Sequence, residues 1–135
     1  MLKQRGAYLL IVELREPLPR WNLKEGLYAY VGSAWGPGGL FARTKRHLLK
    51  SFTRPKWHID HLTMKGEPLI AFLFPGMSED ELYEAVSQVL EPAVKGFGST
   101  DTKHYTHLFK LSPQKLSELL YLLHNRHKIG RRGNP

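Results

Sequence analysis

Two short tyrosine-containing segments lie near the start of the sequence, Gly6-Ala7-Tyr8 and Tyr30-Val31-Gly32. Arg43 and His47 follow four residues apart, so a helix would place them on one face. Glu84 comes later, within a predicted helix. Phenols and imidazoles transfer protons, a guanidinium binds anions and a carboxylate binds cations. Together these groups have the chemistry that hydrolysis of a phosphate ester requires.

Each group has a specific use in such a reaction. Arg43 can donate to two phosphate oxygens at once, and a lone carboxylate such as Glu84 suits Mg²⁺. A tyrosine takes a proton from water only if a nearby cation depresses its pKa from about 10. His47 can accept a proton or contact a phosphate. Each also has a structural interpretation, in which the tyrosines pack in strands and the polar groups lie on solvated helix surfaces.

The charge of the chain points to a polyanionic partner. Its 135 residues contain 20 Lys and Arg, 12 Asp and Glu and no Cys, for a net charge of +8. No acid occurs between residues 27 and 59, and a second basic cluster lies near the end of the chain. The absence of Cys excludes disulfides and thiolate-bound zinc. No apolar run is long enough to span a bilayer, so we expect a cytoplasmic protein with no membrane partner.

The elements that would position these residues follow from hydrophobic periodicity. We predict strands at 6–16, 27–33, 67–74 and 105–111, and helices at 40–51, 78–90 and 112–128, the last with Ser112 as its N-cap. The pattern leaves open whether 57–62 is a helix or a strand. The expected fold is α+β, a small central antiparallel or mixed sheet of about three to four strands flanked by helices. We expect one domain over 1–135, with a core at about 6–111 and a basic tail at 129–135.

The sequence resembles the GIY-YIG nuclease superfamily in its two tyrosine segments and in the Arg43, His47 and Glu84 that follow them in order. That superfamily has a β-β-α-β-α core. Later segments resemble one branch of small stand-alone proteins of poorly defined function, sometimes appended to a DNA glycosylase. Those segments are Trp57-His58-Ile59-Asp60, the run from Gly96 to Asp101, and Thr106 to Phe109. The resemblance spans about residues 6–111.

The resemblance implies a metal-dependent endonuclease acting on DNA, with RNA not excluded, and a partner in DNA repair. The implied catalytic residues are Tyr8, Tyr30, Arg43, His47 and Glu84. The expected substrate-binding residues are Gly32, Ser33, Lys45, Arg46, Lys50 and His58. One Mg²⁺ or Mn²⁺ would bind Glu84. Glu81 competes for that role, but a capping box with Ser78 already accounts for it.

Two histidine pairs make a second metal site an alternative. His58 and His61 form one pair and His104 and His107 the other, and four imidazoles could bind zinc if the segments met. Relatives of the branch often carry cysteines where this chain has Thr102 and His104. We favour hydrogen-bonding roles around the cleft and expect no zinc. A non-catalytic nucleic-acid-binding module on the same fold is the alternative function, and the oligomeric state is left open.

Overall fold

One four-stranded sheet forms the centre of the molecule. The structure, a computed structural model, describes residues 4–132, with side chains through residue 126. The strands are β1 Gly6–Leu14, β2 Gly26–Ala34, β3 Glu67–Pro75 and β4 Leu108–Leu111. They pair antiparallel throughout, in the order β3-β1-β2-β4. The predicted α+β class and its four strands are confirmed.

Four helices flank the sheet: α1 Gly39–Leu48, α2 His58–Lys65, α3 Glu79–Val89 and α4 Pro113–Arg132. The segment whose type the sequence left open begins α2. The last helix runs four residues into the predicted basic tail, and residues 133–135 of that tail lie outside the described residues. None of the described helices is both long and apolar enough to cross a membrane.

Alternation along β1 divides the core into two layers. Tyr8 and Leu10 point toward the layer that holds Leu40 of α1 and Leu62 of α2. The intervening residues, including Leu9, belong to the layer packed by α3 and α4. Because β1 is a central strand buried on both faces, its sequence is an almost continuous apolar run.

Two helix starts follow the predicted capping chemistry. The Ser78 hydroxyl accepts from the Glu81 amide at 3.1 Å, and the Glu81 carboxylate accepts from the Ser78 amide at 3.4 Å. Ser112 accepts from the Lys115 amide at 3.3 Å at the start of α4. These bonds satisfy donors that the first turn of a helix leaves free, so the capping predictions are confirmed.

The register of β1 against β2 explains why the second tyrosine segment ends in a glycine. Tyr8 pairs with Gly32, and Leu10 pairs with Tyr30. A side-chain carbon built on Gly32 would overlap the Tyr8 ring. The absent side chain therefore makes the space that the Tyr8 ring occupies.

We expect Gly32→Ala to lower the free energy of unfolding by about 1–3 kcal/mol, because overpacking displaces the Tyr8 ring. The matched control is Gly36→Ala, where an added side-chain carbon has no neighbour within 4 Å. Urea unfolding of the two variants measures the difference. Equal stability of both variants would contradict the close packing of Tyr8 on Gly32.

Candidate functional site

An open cavity of about 490 Å³ lies on the α1 and α2 side of the sheet. Its polar lining includes Tyr8, Tyr30, Ser33, Arg43, His58 and Glu79. Five of these six residues are among those that the sequence analysis selected. The cavity thus collects two phenols, a guanidinium, an imidazole and a carboxylate from five separate elements, β1, β2, α1, α2 and α3.

The two tyrosines lie side by side because they sit on neighbouring positions of paired strands. Their ring centroids are 6.3 Å apart, and the rings are tilted by 50°. Both side chains are almost fully buried, yet both border the cavity. Tyr30 also packs over Gly98, where an added side-chain carbon would lie 2.9 Å from the Tyr30 ring.

His47 lies behind Tyr8 rather than in the cavity. The Tyr8 hydroxyl is 2.8 Å from His47 Nε2, and His47 is completely buried. The other ring nitrogen, Nδ1, faces Asp60 Oδ1 at 3.9 Å, and neither of these two atoms has a hydrogen-bond partner. Tyr8, His47 and Asp60 thus form a row that leads from the cavity into the core.

Burial sets the protonation of this row. It raises the pKa of Tyr8 above its ordinary range, against the opposing effect of Arg43. It also lowers the pKa of His47 to about 4, while the nearby Asp60 carboxylate opposes that shift. A protonated phenol therefore donates to Nε2 of a neutral imidazole, whose own proton lies on Nδ1 and faces Asp60.

Asp60 is the anchor of α1 and α2. Its Oδ2 accepts from Arg46 Nη2 at 2.7 Å, from the Lys56 amide at 2.7 Å and from the Trp57 amide at 3.0 Å. Burial of a carboxylate requires such compensation. The predicted substrate contact Arg46 instead pairs with Asp60 through its guanidinium, and Arg46 does not line the cavity.

Arg43 is the helix α1 cation that does line the cavity. Its guanidinium carbon lies 4.3 Å from the centre of the Trp57 ring, which also borders the cavity. Lys56 packs against the same ring, 4.9 Å from its centre. Stacking on an aromatic face holds a guanidinium in place without neutralising it, so Arg43 keeps its donors for an anion.

Two other predicted substrate contacts lie elsewhere. Lys45 is exposed and lies near the Phe41 ring, outside the cavity. Lys50 donates to the Gly66 carbonyl at 3.0 Å and lies 3.7 Å from the Glu67 carboxylate. The side chains of a helix point in all directions around its axis. The basic composition of α1 therefore did not indicate which of its cations face the cavity.

Glu79, rather than Glu84 or Glu81, is the glutamate at the cavity. It occupies the first turn of α3 and lines the cavity with Tyr8 and Arg43. Burial raises the pKa of Glu79, and the nearby Ser33 hydroxyl opposes that rise.

The predicted metal ligand Glu84 lies apart from this cavity. Glu84 is exposed further along α3 and does not line the cavity, and Glu81 is occupied by the capping box. Glu79 was not among the predicted residues, because the position of a glutamate in the sequence does not indicate which turn of α3 reaches the cavity. The available signal was its position directly after the Ser78 cap, where the helix start approaches the β3 end of the sheet.

The histidine pairs do not assemble into a four-histidine site. His58 Nδ1 accepts from the Gly98 amide at 2.8 Å, and His61 lies 3.0 Å from an Arg20 nitrogen. These contacts agree with the hydrogen-bonding role expected for His58. Within residues whose side chains are described, one group of three metal-binding side chains occurs: Glu79, His104 and His107.

A family model described as a domain of unknown function, DUF123, matches residues 7–128, so the chain belongs to this family. The match includes most of α4 and thus extends beyond the 6–111 segment that carried the sequence resemblance. No curated protein and no solved structure matches the chain.

We expect His47 by itself to lower the free energy of unfolding by about 3 kcal/mol as the pH falls from 6.5 toward 4. The unfolded His47 takes up a proton in this range, whereas the folded His47 does not, because its pKa is about 4. The groups around the ring are Tyr8, Asp60, Arg43 and Arg46.

Urea unfolding at several pH values measures this dependence, and the variant His47→Gln isolates it from other histidines. We expect the variant to lose stability less steeply than the wild type between pH 6.5 and 4. Parallel curves for the two proteins would contradict a buried neutral His47.

Proposed function

We propose that this protein is a divalent-metal-dependent endonuclease of the GIY-YIG type that hydrolyses phosphodiester bonds in DNA. The observation that carries the proposal is the convergence of Tyr8, Tyr30, Arg43 and Glu79 on one cavity, with Tyr8 hydrogen-bonded to a buried neutral imidazole. The resemblance of the two tyrosine segments to that superfamily supports the same activity.

Arg43 binds the phosphate in this proposal. Its guanidinium lies at the cavity, stacked on Trp57 and with no carboxylate partner among the ion pairs of the described side chains. Two parallel N–H donors match two phosphate oxygens and gain strength as charge develops on them. Lys56 and the acid-free segment that contains α1 supply further positive charge for the DNA backbone.

Tyr8 and His47 transfer the proton of the attacking water. Water gives a proton to the Tyr8 oxygen as the Tyr8 hydroxyl gives its own proton to His47 Nε2, so Tyr8 is neutral before and after. Asp60, 3.9 Å from His47 Nδ1, stabilises the imidazolium that results. Arg43 lowers the pKa of His47, so a phosphate bound to Arg43 would make His47 a stronger base.

Glu79 fits the requirement for a metal-binding carboxylate. It borders the cavity that holds the tyrosines and Arg43, and its side chain remains partly exposed. A bound Mg²⁺ or Mn²⁺ would neutralise negative charge on the reacting phosphate. Ser33, beside Glu79, offers a hydroxyl to the substrate or to the carboxylate.

The test is nicking of supercoiled plasmid with Mg²⁺ or Mn²⁺. We expect Glu79→Gln and Tyr8→Phe each to slow nicking by about 100-fold or more, since each removes a group acting on the reacting atoms. The matched control is Glu84→Gln, which removes an exposed carboxylate from the same helix and is expected to retain wild-type activity.

The outcomes separate the two glutamates as well as the function. Loss of activity in Glu84→Gln but not in Glu79→Gln would return the metal role to Glu84. If the wild type does not nick DNA with either ion across the pH range, the endonuclease proposal fails.

A non-catalytic nucleic-acid-binding module is the second candidate. The observation that favours it is the raised pKa of Tyr8, which opposes ionisation of the phenol. This function requires affinity for DNA that falls steeply with salt concentration, remains in Glu79→Gln and is accompanied by no cleavage.

A further inference from the structure

Three potential metal ligands from distant parts of the chain converge beside the cavity. His104 Nδ1 lies 2.7 Å from His107 Nε2, and His107 Nε2 lies 3.7 Å from Glu79 Oε1. All three atoms lie within 4.8 Å of one another. Two imidazole nitrogens and one carboxylate oxygen form a ligand set that divalent transition metals prefer.

The proton on His104 is fixed by a second carboxylate. His104 Nε2 lies 2.7 Å from Asp80 Oδ1, so this nitrogen carries the proton and donates it. In the neutral ring, Nδ1 then presents a lone pair to the centre of the cluster. A carboxylate that holds the far nitrogen of a histidine is the usual outer partner of a metal-binding imidazole.

Hydrogen bonding alone leaves the cluster incompletely satisfied. If His107 Nε2 donates to His104 Nδ1, the neutral His107 ring has a lone pair on Nδ1, which is buried and has no partner. Glu79 Oε1 then receives no proton from His107. A cation at the centre would instead accept a lone pair from each of the three groups, and His107 Nδ1 would carry the proton of the neutral ring.

The fold holds the histidines in place. The His104 ring stacks on Tyr83, with centroids 3.8 Å apart and planes within 7°. The His107 backbone is bonded on both sides, from its amide to the Phe97 carbonyl and from the Val31 amide to its own carbonyl, each at 2.9 Å. Metal bonds of about 2.0–2.2 Å thus require only small side-chain adjustments.

We propose that Glu79, His104 and His107 bind one divalent transition-metal ion of the zinc class, with Asp80 positioning His104. Imidazole ligands favour Zn²⁺, Co²⁺ or Mn²⁺ over Mg²⁺, which prefers oxygen ligands and retains its waters. This metal site deepens the proposed function, because any role of the ion in catalysis rests on the proposed endonuclease activity. Binding of the ion is measured without DNA, so the two proposals can fail separately.

The test is titration of the untagged protein with Zn²⁺ by calorimetry and with Co²⁺ by visible absorption, with Mg²⁺ as the comparison ion. We expect one Zn²⁺ per chain, Co²⁺ bands of a site with nitrogen ligands, and no comparable affinity for Mg²⁺. Zn²⁺ should also raise the melting temperature, because it links α3 to the segment before β4 and binds only the folded chain.

Three variants locate the site. Asp80→Asn removes an outer partner and is expected to weaken Zn²⁺ binding by about 10-fold to 100-fold. His104→Ala and Glu79→Gln each remove a direct ligand and are expected to weaken Zn²⁺ binding by more than this. His61→Ala is the matched control, since His61 is also partly exposed but lies beside Arg20. Circular dichroism without metal verifies that each variant is folded.

Unchanged Zn²⁺ affinity in folded His104→Ala and Glu79→Gln, or no stoichiometric binding by the wild type, would overturn the site. The three groups would then form only a hydrogen-bonded tether between α3 and the following loop. Specific Zn²⁺ binding without any plasmid nicking would support the metal site and refute the endonuclease. Nicking without specific Zn²⁺ or Co²⁺ binding would support the endonuclease and refute the metal site.

Discussion

The buried carboxylate of Asp60 is the interaction on which the site depends. A carboxylate that is fully removed from water must be compensated, and here Arg46 and two backbone amides at the start of α2 provide that compensation. These bonds join α1 to α2 and place Asp60 opposite His47. His47 in turn holds the Tyr8 hydroxyl at the cavity. A change at Asp60 would therefore disturb the packing of two helices and the orientation of a residue that Asp60 does not touch.

The cavity has opposite charges on its two sides. Arg43 and Lys56 come from the α1 and α2 side, whereas Glu79 begins α3, which packs on the other face of the sheet. An anion is attracted to the first side and a cation to the second, so a phosphate and a metal ion could bind next to each other. The buried tyrosines line the same cavity, in an environment that keeps their phenols protonated.

Much of this arrangement could be predicted from sequence, but not all of its residues. The strands and the Ser78 cap follow from local patterns of period two and from side-chain capping chemistry. The predicted ligand Glu84 does not line the cavity, because the packing of α3 on the sheet decides which of its residues face the cavity. His104 and His107 were recognised as a pair, but their approach to Glu79 depends on the loop before β4.

The sequence by itself determined the class of fold, the basic surface and the types of reactive group, since these depend on composition and on contacts within a few residues. Only the tertiary structure decided which charged groups share the cavity. Arg43 is free for an anion while Arg46 is bound to Asp60, and Glu79 lies at the cavity while Glu84 lies in solvent. The physical reason is that residues three to five positions apart on a helix are similar in local preference, and long-range packing alone distinguishes them.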